Sequence, residues 1–198
     1  MMSQKLFLAC WLSIATAAFA AEGPCVVSGQ GHFRIHVGTA GLFGAFAHNH
    51  LIEAEKIVGC ATIDSKEITR SSIKLDFLAD QISVIDPKES ARDRAEVQKT
   101  MESEVLRVTE FPRVTFESTS FERHGTDRML IHGNLTIRGR TQRVMIPTIV
   151  MPLKDGTYRA TGEYKFKQTS FGIKPINLAG GTVKVKDEVT IEFELFLR

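Results

Sequence analysis

Val189-Thr190-Ile191-Glu192-Phe193-Glu194-Leu195 decides the fold: every odd position is apolar and every even one carries a hydroxyl or a carboxylate. Side chains alternate between the two faces of a strand, so this run is a strand with one dry face and one wet face. The same alternation appears in Phe33-Arg34-Ile35-His36-Val37, Ile73-Lys74-Leu75-Asp76-Phe77, Val114-Thr115-Phe116-Glu117 and Leu135-Thr136-Ile137-Arg138. His124-Gly125-Thr126-Asp127, Arg138-Gly139-Arg140 and Lys154-Asp155-Gly156-Thr157 carry hairpin chemistry between the runs. The spacing predicts about eight strands, at 26–38, 48–65, 69–81, 112–123, 128–138, 142–151, 157–170 and 182–197.

One segment departs from the pattern. Asp86-Pro87-Lys88-Glu89 offers an N-cap acid, a proline at the first helical position and a glutamate able to reach back to the cap, which predicts a helix over 87–108. Val97, Met101 and Val105, with Ala91 and Leu106 nearby, form its apolar stripe, and Phe111-Pro112 stops it.

The first 20 residues read as a cleavable export signal, with Lys5 before an uncharged apolar run that closes on Ala18-Phe19-Ala20. That run is short for a bilayer span, so the mature chain is expected to start near Ala21, leaving 21–198 as one domain. Basic and acidic residues number 25 and 23 and are interspersed, which gives no electrostatic footprint for nucleic acid or an anionic membrane surface. Trp11 leaves with the signal, and Tyr158 and Tyr164 are the only tyrosines beside 13 phenylalanines, so the apolar surface lacks polar handles. Cys25 and Cys60 remain in a chain bound for an oxidising compartment. If the first two strands turn near Phe43, these cysteines lie almost opposite each other, and a disulfide is expected; the alternative is two buried thiols packing as small apolar groups.

Antiparallel strands with one apolar face close into a barrel or stack as a sandwich, and the alternation satisfies both. An outer-membrane barrel would turn its apolar face to lipid and needs girdles of tryptophan and tyrosine, which the mature chain does not supply. The charged helix also suits a lid or plug better than a lipid-embedded meander.

The chain resembles the YceI-like proteins, periplasmic lipid-binding barrels similar in shape to lipocalins, over nearly the whole mature sequence. Three segments carry the resemblance in order: Gly41-Leu42-Phe43-Gly44-Ala45-Phe46-Ala47-His48-Asn49-His50, Phe111-Pro112-Arg113-Val114-Thr115-Phe116-Glu117-Ser118 and Gly133-Asn134-Leu135-Thr136-Ile137-Arg138-Gly139. Ser170-Phe171-Gly172-Ile173 and Val185-Lys186-Asp187-Glu188-Val189 extend it toward the end of the chain. The resemblance implies an all-β fold, an eight-stranded antiparallel lipocalin-like barrel with one inserted helix. It further implies a periplasmic location and an interior that holds a long-chain amphipathic molecule: a polyisoprenoid, an isoprenoid quinone or a fatty-acid derivative. It brings no catalytic residue and no cofactor. Two departures from the commoner pattern, the long charged helix across 86–110 and the doubled histidine of His48-Asn49-His50, bear on the ligand rather than on the fold.

With the apolar set turned inward, Phe33, Ile35, Val37, Phe77 and Phe116 line a tunnel together with Ile137, Phe166, Ile191 and Phe193. Met101 from the helix and Phe171 from the closing motif join the candidate ligand-binding set; core packing is the ordinary role for such a methionine. Burial contributes about 0.8 kcal/mol per methylene, so ten of them give roughly 8 kcal/mol before ordering costs. Leu42, Phe43 and Phe46 sit among glycines and suggest a greasy cap at one barrel end, which could equally pack on a second subunit and form a homodimer. His48 and His50 project to one face, with His36 across the hairpin. Two histidines at a pocket mouth more often bond to backbone or a ligand head group than to a metal, so no metal site is assigned.

No nucleophile elbow, phosphate loop, zinc-protease motif or paired-acid arrangement occurs in the sequence, so an enzyme is not expected. The expectation is a periplasmic carrier of an amphipathic, isoprenoid-like lipid without stable membrane insertion. A histidine-based metal or redox accessory protein and a structural barrel filled by its own side chains are the alternatives.

Overall fold

The computed structural model describes residues 31–40, 49–64, 66–178 and 183–197. The export signal, Cys25, Leu42, Phe43, Phe46 and His48 lie outside the described residues. The strands are β1 (Gly31–Ala40), β2 (His50–Ala54), β3 (Ile57–Thr62), β4 (Ser72–Leu78), β5 (Ile82–Val84) and β6 (Arg113–Arg123). They continue as β7 (Arg128–Ile137), β8 (Arg140–Pro152), β9 (Tyr158–Lys167), β10 (Asn177–Leu178) and β11 (Val183–Leu197). Helix α1 (Ala91–Thr100) runs straight into a π-helical turn, Met101–Leu106.

The eleven strands of the described residues belong to one sheet, in the order β3-β4-β6-β7-β8-β9-β11-β1-β2-β5, with β10 beside β11. The two ends of that order are halves of bent strands. β2 passes into β3 across only Glu55 and Lys56, and β4 passes into β5 through the single turn Ala79–Gln81. β2 pairs with β5 (Ile52 opposite Val84) while β3 pairs with β4 (Ile57 opposite Phe77), so the two bent strands lie antiparallel along their whole length. Because β2 also pairs with β1 and β4 also pairs with β6, the ladder returns to its start. The result is a closed barrel of eight long strands, and closure removes the edges that a sandwich would leave open.

Register sets which side chains are dry. Phe33, Ile35 and Val37 of β1 face Phe193, Ile191 and Val189 of β11, so the deciding run meets a second alternating run in phase. Burying each large apolar side chain contributes about 1.5–3 kcal/mol. On β6, Phe116 and Phe121 are five positions apart, an odd spacing that should place them on opposite faces, yet both are buried. A bulge between Ser118 and Ser120 adds the residue that restores phase. Two interior glycines accept rings: a Cβ on Gly133 would lie 2.4 Å from the Phe116 ring, and one on Gly162 would lie 2.6 Å from the Phe193 ring.

The helix starts four residues later than the sequence predicts. Ser90 is the cap and accepts from the Asp93 N–H at 3.2 Å. Asp86 instead closes a turn, its carboxylate accepting from Lys88 N–H at 2.9 Å, because the competing Ser90 cap leaves it free for that local bond. Of the expected stripe, Ala91 is exposed and Val97 half-buried, and only the π-helical turn packs inward through Met101, Val105 and Leu106. The helix ends at Arg107 in the left-handed conformation, before Phe111-Pro112 is reached. Gln98 fastens α1 to β5, accepting from Val84 N–H at 2.8 Å and donating to the Ile82 carbonyl at 2.9 Å. Among the described residues no helix is long and apolar enough to cross a membrane.

Candidate binding cavity

The barrel interior holds a cavity of about 210 Å³. One water needs roughly 10–15 Å³, so the space is too large to be a packing defect. Among the described strands, all except β3 and β10 contribute to its wall, because the in-phase alternation sends one side chain in two toward the axis. Phe33, Ile35, Val37, Phe77 and Phe116 line it, as the sequence predicts. Met101, Ile137, Phe166, Ile191 and Phe193 complete the predicted residues on the wall.

Some rings also pack on one another. Phe33 meets Phe77 edge-on at 4.8 Å between centroids and stacks on Phe193 at 5.6 Å. Phe171 lies behind the wall: it is 1 % exposed and meets Phe166 edge-on at 5.2 Å, so it supports a lining ring rather than the cavity itself.

Sequence reasoning passed over much of the wall. Ile52, Ile82, Ile146, Val150 and Leu195 line it and sit at the same alternating positions as the phenylalanines; that parity is the signal that would have found them. Among the described lining residues only Thr148, Tyr164 and Gln168 bring polar side-chain N or O atoms. Thr148 donates to the Ile146 carbonyl at 3.2 Å and Gln168 to the Lys186 carbonyl at 2.8 Å, so each makes a bond within the protein. Burial pushes the Tyr164 phenol above its ordinary value, which keeps it protonated in an apolar wall.

The histidines do not gather. His50 pairs with Val37 and turns inward, where its Nδ1 lies 2.7 Å from Glu89 Oε1 without the alignment of a hydrogen bond. His36 points outward to Glu192 at 3.3 Å, because it is one position out of phase with Val37. Among the described residues no three His, Cys, Asp or Glu side chains share a point where a metal could sit. His124 and His132 flank Glu122 on the outer surface at 2.9 and 3.3 Å; hydrogen bonds from His132 and then His124 hold its carboxyl below the ordinary range. Cys60 lies half-buried on β3, opposite Lys74.

A closed antiparallel barrel of eight long strands around an apolar cavity, with a helix packed through its last turn, defines a lipocalin-like barrel. The YceI-like domain family matches residues 30–197, and the chain belongs to that family. It is 32% identical over 171 residues to protein YceI of Salmonella arizonae, covering 81% of each chain. Among solved structures it resembles BcnA of Burkholderia cenocepacia, with a TM-score of 0.65 at 16% identity over 84% of this chain and 96% of the other. It also resembles a polyisoprenoid binding domain from Saccharophagus degradans, implicated in plant cell wall breakdown, with a TM-score of 0.63 at 9% identity over 87% and 95% of the chains.

Proposed function

We propose that this protein is a periplasmic carrier that holds a long-chain amphipathic lipid in its barrel, a polyisoprenoid, an isoprenoid quinone or a fatty-acid derivative, and that it binds rather than catalyses. The observation that carries the reading is the cavity of about 210 Å³, whose wall offers apolar side chains at nearly every position. Such a wall gains by enclosing apolar chain and has few groups with which to hold water. Membership of the YceI-like family and the likeness to a polyisoprenoid binding domain support the same class of ligand. The export signal and the Cys25–Cys60 disulfide belong to this reading, since an oxidising compartment favours the bridge. The test is protein purified undenatured from its own host, with native mass spectrometry followed by solvent extraction. A stoichiometric lipid is expected, and repeated recovery of empty protein would sink the proposal.

A further inference from the structure

Among the described residues two non-glycine residues have positive φ, Arg107 at 53° and Arg138 at 51°. Each occupies a position where glycine or asparagine fits with less strain. Arg107 ends the π-helical turn, and Arg138 is the first residue of the two-residue turn joining β7 to β8. A strained backbone that carries a long charged side chain twice, at one end of the molecule, points to a use for the side chains.

Arg107 and the turn that carries Arg138 meet at Phe111. The Arg107 guanidinium lies 5.8 Å from the Phe111 ring centre, and a Cβ on Gly139, between Arg138 and Arg140, would lie 3.0 Å from that ring. Arg140 crosses to Gly172, where an added Cβ would stand 2.6 Å from its Nε. Leu106, Ile137 and Ile173, the neighbours of Arg107, Arg138 and Gly172 in the chain, all line the cavity, so the cluster sits at its rim. Arg107 is paired with Glu110. The guanidiniums of Arg138 and Arg140 make no hydrogen bond or ion pair among the described residues. Burial, then the neighbouring Arg107 and Arg140 charges, hold Arg138 below the ordinary arginine value against the pull of Glu110. Three guanidiniums facing one carboxylate repel one another unless an anion joins them.

We propose that Arg107, Arg138 and Arg140 form the head-group site of the cavity's ligand, and that this head group is an anion, a phosphate ester or a carboxylate. The inference rests on the proposed function: the tail fills the barrel while the planar guanidiniums grip the charged end at the rim.

The test compares an isoprenyl phosphate, a fatty acid and the uncharged isoprenyl alcohol, each below its aggregation limit, on wild type, Arg138→Gly, Arg140→Gln and Arg128→Gln. Glycine suits the 51° φ of residue 138, so Arg138→Gly keeps the turn and its melting temperature reports that the fold survives. Arg128 begins β7, at the opposite end of that strand, and serves as the charge-matched control. Wild type should prefer at least one anion to the alcohol. Arg138→Gly and Arg140→Gln should each lose roughly ten- to a hundredfold in that anion's affinity, leave the alcohol unchanged, and flatten the salt dependence. Whichever anion is preferred identifies the head-group class. Equal binding of all three probes, or equal loss in Arg128→Gln, would overturn the anionic site while leaving the tunnel in place; failure of every probe to bind would instead count against the tunnel.

Discussion

His50 and Glu89 join the barrel wall to the segment that precedes the helix. Their side chains are 14 and 6 % exposed and approach to 2.7 Å through Glu89 Oε1, and Glu89 Oε2 has no hydrogen-bond partner among the described residues. Removing one member of such a pair strands the other away from water. Glu89→Ala and His50→Ala should each cost about 1–3 kcal/mol in denaturant unfolding, and the double variant should cost less than their sum. Additive losses would show that the two residues do not act as a pair.

Gly133 gives the Phe116 ring its place. Gly133→Val should destabilise the barrel by about 1–3 kcal/mol, because a side chain there must displace an interior ring or the neighbouring β6 backbone. A thermal melt unchanged from wild type would show that the ring moves aside at no cost.

Val150 lines the cavity without being fully enclosed by protein atoms. Val150→Phe should therefore fill space rather than crowd the core, keeping the melting temperature within a few degrees, on the order of 1 kcal/mol, while lowering the fraction of protein carrying lipid. Full lipid occupancy in a stable variant would place the tail elsewhere.

Tyr164 provides a pH signature. Its phenol is raised by burial, so the native state favours the protonated form, and the associated stability is present below the ordinary value of 10.0 and lost as pH rises through the higher folded value. Tyrosinate absorbance in the alkaline range should contain a late component that disappears in Tyr164→Phe. If the two titrations overlay, the hydroxyl is in contact with water.

Much of the architecture was legible because a barrel with a dry interior forces period-two alternation, and each of the eight expected runs became a long or bent strand. Ile82-Ser83-Val84 was not legible: three residues carry too little pattern, and β5 exists because β4 turns a corner there. The Ser118–Ser120 bulge was hidden for another reason, since phase is set by the partner strand and not by β6 alone. The helix start was misread because Asp86 and Ser90 both offer a cap, and local sequence does not rank them. On the cavity wall the phenylalanines of the alternating runs stood out, while Ile52 and Ile82, at the same parity, lacked any distinguishing chemistry. The expected meeting of His36 with His50 failed on one unit of phase, which residue counting along β1 would have revealed.

The shared corner of the two bent strands governs how the wall breathes. Glu55 and Lys56 stand between two ladders and belong to neither, so that stretch holds fewer cross-strand bonds than the staves beside it. Amide protons there should trade with deuterated solvent ahead of those on β7 and β8, making this corner the place where the stave work loosens first.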